Sequence, residues 1–334
     1  MIGAQSGAPP PGPPRSGASP SGASLPDQRE EARATGRSGR RSRGAVRAFL
    51  RLVAIEHSVF ALPFAYLSAL TAMQVFGGRV RWAELGLVTV AMVGARTFAM
   101  AANRIIDRHI DARNPRTAGR ELVTGAVSLR TAWTGALVAL AAFLGAAALL
   151  NPLVAALAPA AVVPLVVYPY AKRFTDYPHA VLALAQAVAP VGSWLAVTGT
   201  FAGSGPAWVL GAAVGLWIGG FDLIYACQDA EVDRAIGVRS LPARHGVRFA
   251  LRAAVVAHVV TFGLFVWYGT LVDFGLLWWA GLGVTAVAFG YEHAIVKPHD
   301  LSRVNRAFFT ANGFVGISLF GFALADLVLL GGLR

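Results

Sequence analysis

The chain has 334 residues, of which 56% are hydrophobic and only 14% charged, and it carries a single cysteine, Cys227. That composition excludes an ordinary soluble core and an intrachain disulfide, and it predicts an all-α, polytopic membrane protein whose helices satisfy their own backbone in lipid. The formal charge of +12 invites a nucleic-acid reading, but the basic residues are spread as loop charges rather than gathered in a binding patch.

In chain order, residues 1–45 are rich in Gly, Pro, Ser, Ala and Arg and nearly devoid of large apolar side chains. Such a segment cannot bury a core, so a disordered cytoplasmic tail is expected, without the apolar run of a secretory signal. Residues 46–334 form the expected membrane domain. A span needs about 20 mostly apolar residues. Nine stretches qualify, at 57–76, 84–106, 131–150, 152–171, 179–201, 207–228, 249–268, 274–295 and 306–331. Threaded with the N-terminus inside, 16 basic residues fall in inner loops and only Arg79, Arg81 and Arg334 outside. The positive-inside rule therefore places the N-terminus in the cytoplasm, in a cell (inner or plasma) membrane, with lipid around the bundle. No nucleic-acid partner is needed.

At the end of the second span lies NRIIDRHIDARNPRTAGRE, from Asn103. At about 100° per residue Arg96, Asn103, Asp107 and Asp111 share one stripe. The sixth span repeats the device in DLIYACQDAEVDRAIGVRS, where Asp222, Tyr225, Asp229 and Asp233 share a face and Glu231 points away. Acids beside a bilayer are costly and default to function. One such pair alone is more often a solvated face, but two matching pairs, both followed by arginines and both cytoplasmic, suggest a magnesium-diphosphate site. Magnesium takes hard oxygen ligands, usually one or two carboxylates with substrate phosphate oxygens. Asn103 would add a neutral oxygen, Arg116 and Arg120 can bind phosphate bidentately, and Lys172 and Arg173 add charge at the same level. Arg96 and Asp222 lie about 10 Å deeper. Two readings of them are compatible: an Arg96–Asp222 ion pair, or Arg96 binding an anionic acceptor while Asp222 orients that acceptor or Tyr225.

These residues resemble the UbiA superfamily of intramembrane aromatic prenyltransferases. NRIIDRHID is similar to its first Asp-rich motif and DLIYACQDAEVDRAIGVRS to its second, while EHSVFALPFAY, YPYAKRFTDYPH and APVGSWLAVTG resemble further family segments. The likeness runs from about residue 50 to the end. It implies a nine-helix bundle in which Asn103, Asp107, Asp111, Asp229 and Asp233 hold Mg2+ and the four aspartates are catalytic. It further implies that Arg116, Arg120 and Lys172 contact the diphosphate, and that Arg96, Asp222 and Tyr225 line the acceptor cavity. The substrates implied are a polyprenyl diphosphate and a small aromatic acceptor.

The branch most similar is labelled 4-hydroxybenzoate polyprenyltransferase, which includes enzymes acting on a dihydroxynaphthoate in the futalosine route to menaquinone. The expected reaction is therefore Mg-dependent polyprenyl transfer to an aromatic carboxylate in ubiquinone or menaquinone biosynthesis. Arg104 departs from the pattern, standing where ubiquinone-pathway members usually carry Asp, which weakens transfer of the hydroxybenzoate substrate but not of the chemistry. Alternative readings are a haem- or chlorophyll-branch acceptor, or a transporter, whose acids would sit near the midplane rather than at helix ends. On the prenyltransferase reading, Asp107→Ala or Asp229→Ala should abolish turnover without unfolding the protein.

Overall fold

Helices form at all nine places where the apolar runs predict them: α1 (Leu62–Gly77), α2 (Trp82–Asp111), α3 (Leu129–Leu150), α4 (Pro152–Phe174), α5 (Pro178–Thr198), α6 (Gly205–Ala226), α9 (Val247–Val272), α10 (Leu276–Ile295) and α11 (Asn312–Leu329). Two short helices, α7 (Ala230–Ile236) and α8 (Leu241–His245), lie between α6 and α9. The computed structural model describes Phe49, Leu52 and residues 61–334, which fall within one compact unit. The expected tail at 1–45 lies outside the described residues.

Among the described residues seven helices are long and apolar enough to cross a membrane, so the protein is a multi-pass membrane protein. The other two of the nine differ for visible reasons. The described part of α1 starts at Leu62, not 57, and its 16 residues rise only about 24 Å. The α10 helix carries Glu292 and His293 near its end.

Close packing is set by small residues. A Cβ on Gly94 of α2 would lie 2.8 Å from the Ala139 carbonyl of α3, and one on Gly211 of α6 would lie 2.7 Å from the Ala187 carbonyl of α5. Backbones can approach that closely only where there is no side chain, the means by which lipid-embedded helices associate. Polar caps join the layers. Asn151 accepts from Val154 N at the start of α4 and donates to the Leu195 and Ala196 carbonyls at the end of α5. Helix α6 runs through the middle of the bundle. Its Trp217 is fully buried and packs edge-on against Phe64 of α1, 5.3 Å between ring centroids.

Two spans are less regular than expected. After the sixth span, α6 gives way to a 3-10 turn at Cys227–Asp229 before α7 begins. Winding there is tighter, about 120° per residue, yet Tyr225 and Asp229 still face the same guanidinium, that of Arg116. The ninth opens with a π-turn at Ala307–Ala311 ahead of α11. The stretch after α2 is not helical. Asn114 precedes Pro115, which disfavours the helical region for it, and Thr117 Oγ1 caps the buried Asp111 carbonyl at 3.0 Å. At the opposite end of α2, Val80 N donates to the Arg334 carbonyl (2.6 Å) and Arg81 to that of Val197 (2.8 Å). The three cations expected outside thus belong to the end away from the acidic motifs.

Candidate active site

The ends of α2, α4 and α6, with the turn after α2 and the helix α7, bring the expected charged residues to one end of the bundle. Asp107 is fully buried and accepts from Lys172 Nζ (2.6 Å) and Arg173 Nη1 (3.3 Å) at the end of α4. Asp111, one turn further, accepts from Arg120 Nη1 at 2.5 Å. Asp229 takes both edges of the Arg116 fork, Nε at 2.8 Å on Oδ1 and Nη2 on Oδ2, and a third bond from Asn114 Nδ2 at 3.0 Å. Arg116 Nη1 also donates to the Tyr225 hydroxyl at 3.0 Å. Asp233 is held by Ser240 Oγ at 3.0 Å, and Gly237, at φ +74°, makes the left-handed turn that returns the chain to Ser240. Glu231 is exposed, as its position on the helix predicts.

Carboxylates this deeply placed persist only when paired and hydrogen-bonded. The pairing acts on the cations as well. Burial pulls the Arg116 guanidinium down, but the hydrogen bond and charge of Asp229, with Tyr225 and Asp111 behind, more than offset it and raise its pKa. Two halves of the site that are 113 residues apart in sequence are thus joined by one ion pair.

Beside this charged ring lies an apolar cavity of about 770 Å3 between α2, α4, α5 and α6. Asn103 and Tyr168 line it near the acids, and Phe201 and Trp208 near the other end. Arg96 also lines it, and its buried Nε has no partner among the described residues. The Arg96–Asp222 ion pair considered from sequence is not formed. Asp222 instead accepts from His179 Nδ1 at 2.6 Å, because α5 packs on the Gly211, Gly215 and Gly219 face of α6 and brings His179 to it.

Sequence reasoning missed four residues here: Asn114, His179, Ser240 and Tyr168. Asn114 and Ser240 had a local signal, an Asn-Pro turn and the Ser that ends the second motif. Tyr168 and His179 open and close the quoted segment YPYAKRFTDYPH, but which acid or cavity each meets depends on helix packing. Among the described residues no three His, Cys, Asp or Glu are arranged as a ready metal cluster, because each acid rests on a cation or hydroxyl.

A helical membrane bundle with a ring of paired carboxylates and cations above an apolar cavity defines an intramembrane enzyme for a substrate with an anionic head and an apolar body. Comparison with known proteins gives that class a family. The profile of the UbiA prenyltransferase family matches residues 61–314, and the chain belongs to this family. It is 29% identical over 283 residues to the 4-hydroxybenzoate octaprenyltransferase of Burkholderia vietnamiensis, covering 84% of this chain and 96% of that protein. It is 32% identical over 236 residues to the 4-hydroxybenzoate solanesyltransferase of Synechocystis sp., covering 70% and 80%. The apo structure of a UbiA homolog from Aeropyrum pernix K1 superposes with a TM-score of 0.75 at 34% identity, covering 82% of this chain and 98% of that one. A UbiA homolog from Archaeoglobus fulgidus bound to DMAPP and Mg2+ shares the fold, with a TM-score of 0.64 at 18% identity, covering 84% and 99%.

Proposed function

We propose that the protein transfers a polyprenyl group from a polyprenyl diphosphate to an aromatic carboxylate of the 4-hydroxybenzoate or dihydroxynaphthoate class, with Mg2+, in quinone biosynthesis. The observation that carries this reading is the charged ring, Asp107, Asp111 and Asp229 with their cations and Asp233 on Ser240, beside the 770 Å3 apolar cavity. An anionic head fits the ring and an isoprenoid tail the cavity. The names of the Burkholderia and Synechocystis relatives support the acceptor class.

The donor set suits magnesium. Asp107 with Asp111, Asp229 with Asp233, and the Asn103 amide offer only hard oxygens, and one or two carboxylates suffice when waters and phosphate complete the shell. Magnesium bound there would supply positive charge at the departing diphosphate oxygens. In the free protein Arg116, Arg120, Lys172 and Arg173 hold the carboxylates. When the diphosphate arrives they exchange carboxylate for phosphate oxygens and stabilise the charge that develops as the allylic C–O bond breaks. The electron pair leaves with the diphosphate, a ring carbon of the acceptor bonds the allylic carbon, and the ring proton is lost. Arg96 holds the acceptor carboxylate within the cavity, Asp222, oriented by His179, faces the acceptor, and the apolar walls exclude water from the cation. The charge bias of the loops supports an active site at the cytoplasmic face of the cell membrane.

The test is transfer of labelled polyprenyl diphosphate by the full chain in nanodiscs, offered 4-hydroxybenzoate and dihydroxynaphthoate in parallel, with Mg2+ or with EDTA. A prenylated product that needs Mg2+ is expected from one of them. Failure of both acceptors in folded protein would overturn the acceptor class, and equal product in EDTA would overturn the metal.

A further inference from the structure

On α2, Arg104 stands seven residues before Asp111, so two helical turns put both side chains on nearly the same face. The charged and polar groups that Arg104 feels are Arg120, Asp111, Glu121 and Tyr225, all at the end of the bundle where the acids are ringed by cations. Its Nε donates to the backbone carbonyl of Leu52 at 3.3 Å, which fixes one edge of the fork. Among the described residues Nη1 and Nη2 find no hydrogen-bond partner, and the side chain is half-buried.

Arg104 is the odd member of this ring. Arg116 rests on Asp229, Arg120 on Asp111, and Lys172 and Arg173 share Asp107. Among the described residues Arg104 forms no ion pair, and Asp111, on its own face of α2, already holds Arg120. Two guanidiniums acting on one carboxylate leave a surplus positive charge, and partial burial strengthens the repulsion between them. An anion with several oxygens placed between them relieves it. A planar guanidinium with a free Nη edge suits phosphate, which it can bind through two parallel N–H···O bonds.

We infer that Arg104 is a further substrate-binding residue, which with Arg120 forms a two-guanidinium clamp on the diphosphate head. This rests on the polyprenyl diphosphate reading above. The competing role is mechanical: Arg104 would only tie the segment containing Leu52 to α2, and its loss would lower stability without touching affinity.

Calorimetric titration of the full chain in detergent with geranyl S-thiolodiphosphate, a non-cleavable diphosphate, in Mg2+ separates these roles, with a thermal melt run beside it. Arg104→Met keeps the aliphatic stem and removes the fork. It should bind roughly ten- to a hundredfold more weakly, the range for a lost hydrogen bond to a charged group. In turnover, KM for the diphosphate should rise while KM for the aromatic acceptor stays as in wild type. Undiminished affinity in Arg104→Met, with or without a lower melting temperature, overturns the clamp. If that variant does not fold, Arg104→Lys keeps the charge and loses the planar fork. Weaker binding by Arg104→Lys then supports the clamp, and wild-type affinity overturns it. Failure of the wild type itself to bind the analogue would instead remove the diphosphate reading, and the clamp with it.

Discussion

Asp107 is fully buried, with two cations on one carboxylate, whereas Asp229 keeps 14% of its side chain exposed. The two acids have matching places in their motifs, yet their replacements should differ. Asp229→Asn should cost at least about a hundredfold in turnover with little change in melting temperature, since its partner Arg116 can reach water. Asp107→Asn should cost as much turnover and also stability, by up to about 3 kcal/mol, because Lys172 and Arg173 lose their shared charge. That estimate is the low end for a buried pair, as both cations are partly exposed. Turnover with labelled diphosphate, read beside a thermal melt of each variant, checks both. The burial of Asp107 thus adds a stability cost to the loss of turnover expected of both acids. At the same scale, His179→Ala frees the Asp222 carboxylate from its 2.6 Å bond to Nδ1. KM for the acceptor should rise about tenfold, the order of one hydrogen bond to a charged group, while KM for the diphosphate holds. Equal shifts in both constants would place His179 in general packing instead.

Among the elements, the irregular start of the ninth span has a consequence at the site. Asn312, fully buried, donates to Glu292 Oε1 (2.7 Å) and to the Ala307 carbonyl (3.1 Å), and accepts from Trp217 Nε1 (2.8 Å). One amide thus holds the π-turn, α10 and α6 together. The π-turn carries Phe308, whose ring lies 4.4 Å from that of Tyr225, and Tyr225 receives Arg116. Asn312→Leu would fill the space but strand three buried polar groups, each worth about 1–3 kcal/mol when left unpaired. The expected result is a lower melting temperature together with a higher KM for the diphosphate, as Phe308 and Tyr225 lose their seat under Arg116. A variant that melts early but keeps that KM would confine Asn312 to stability. Nothing local in the sequence marks this arrangement. A π-turn has no residue signature, and Asn312 reads as one polar position in an apolar run.

For the whole molecule, legibility followed the range of the interactions. Nine apolar runs are one-dimensional, and their helices appear at the expected places because length and hydropathy settle them. The stripe Asn103, Asp107 and Asp111 was readable because α2 stays regular to Asp111. The 3-10 turn at Cys227–Asp229, within the stripe from Asp222 to Asp233, had no such signal, although Tyr225 and Asp229 still meet the same Arg116 guanidinium. Which cation holds which acid depends on packing between helices, as with Lys172 and Asp107, 65 residues apart. The cavity is equally a property of the assembled bundle, and it gives the last prediction. Ala161 lies in its wall two turns from Tyr168 on α4, between the charged end and the end at Phe201 and Trp208. Ala161→Phe adds a ring where tail carbons past the first isoprene units would lie, far from every charged group of the ring. Overpacking a preformed space costs about 1–3 kcal/mol, and a longer tail must cross the obstruction while a short one need not. Turnover with geranyl diphosphate should therefore persist, and the ratio of octaprenyl to geranyl turnover should fall about tenfold or more. Competition between the two labelled diphosphates in one reaction reads that ratio directly. An unchanged ratio, in a variant that melts with the wild type, would mean that the tail leaves the bundle for lipid before reaching Ala161.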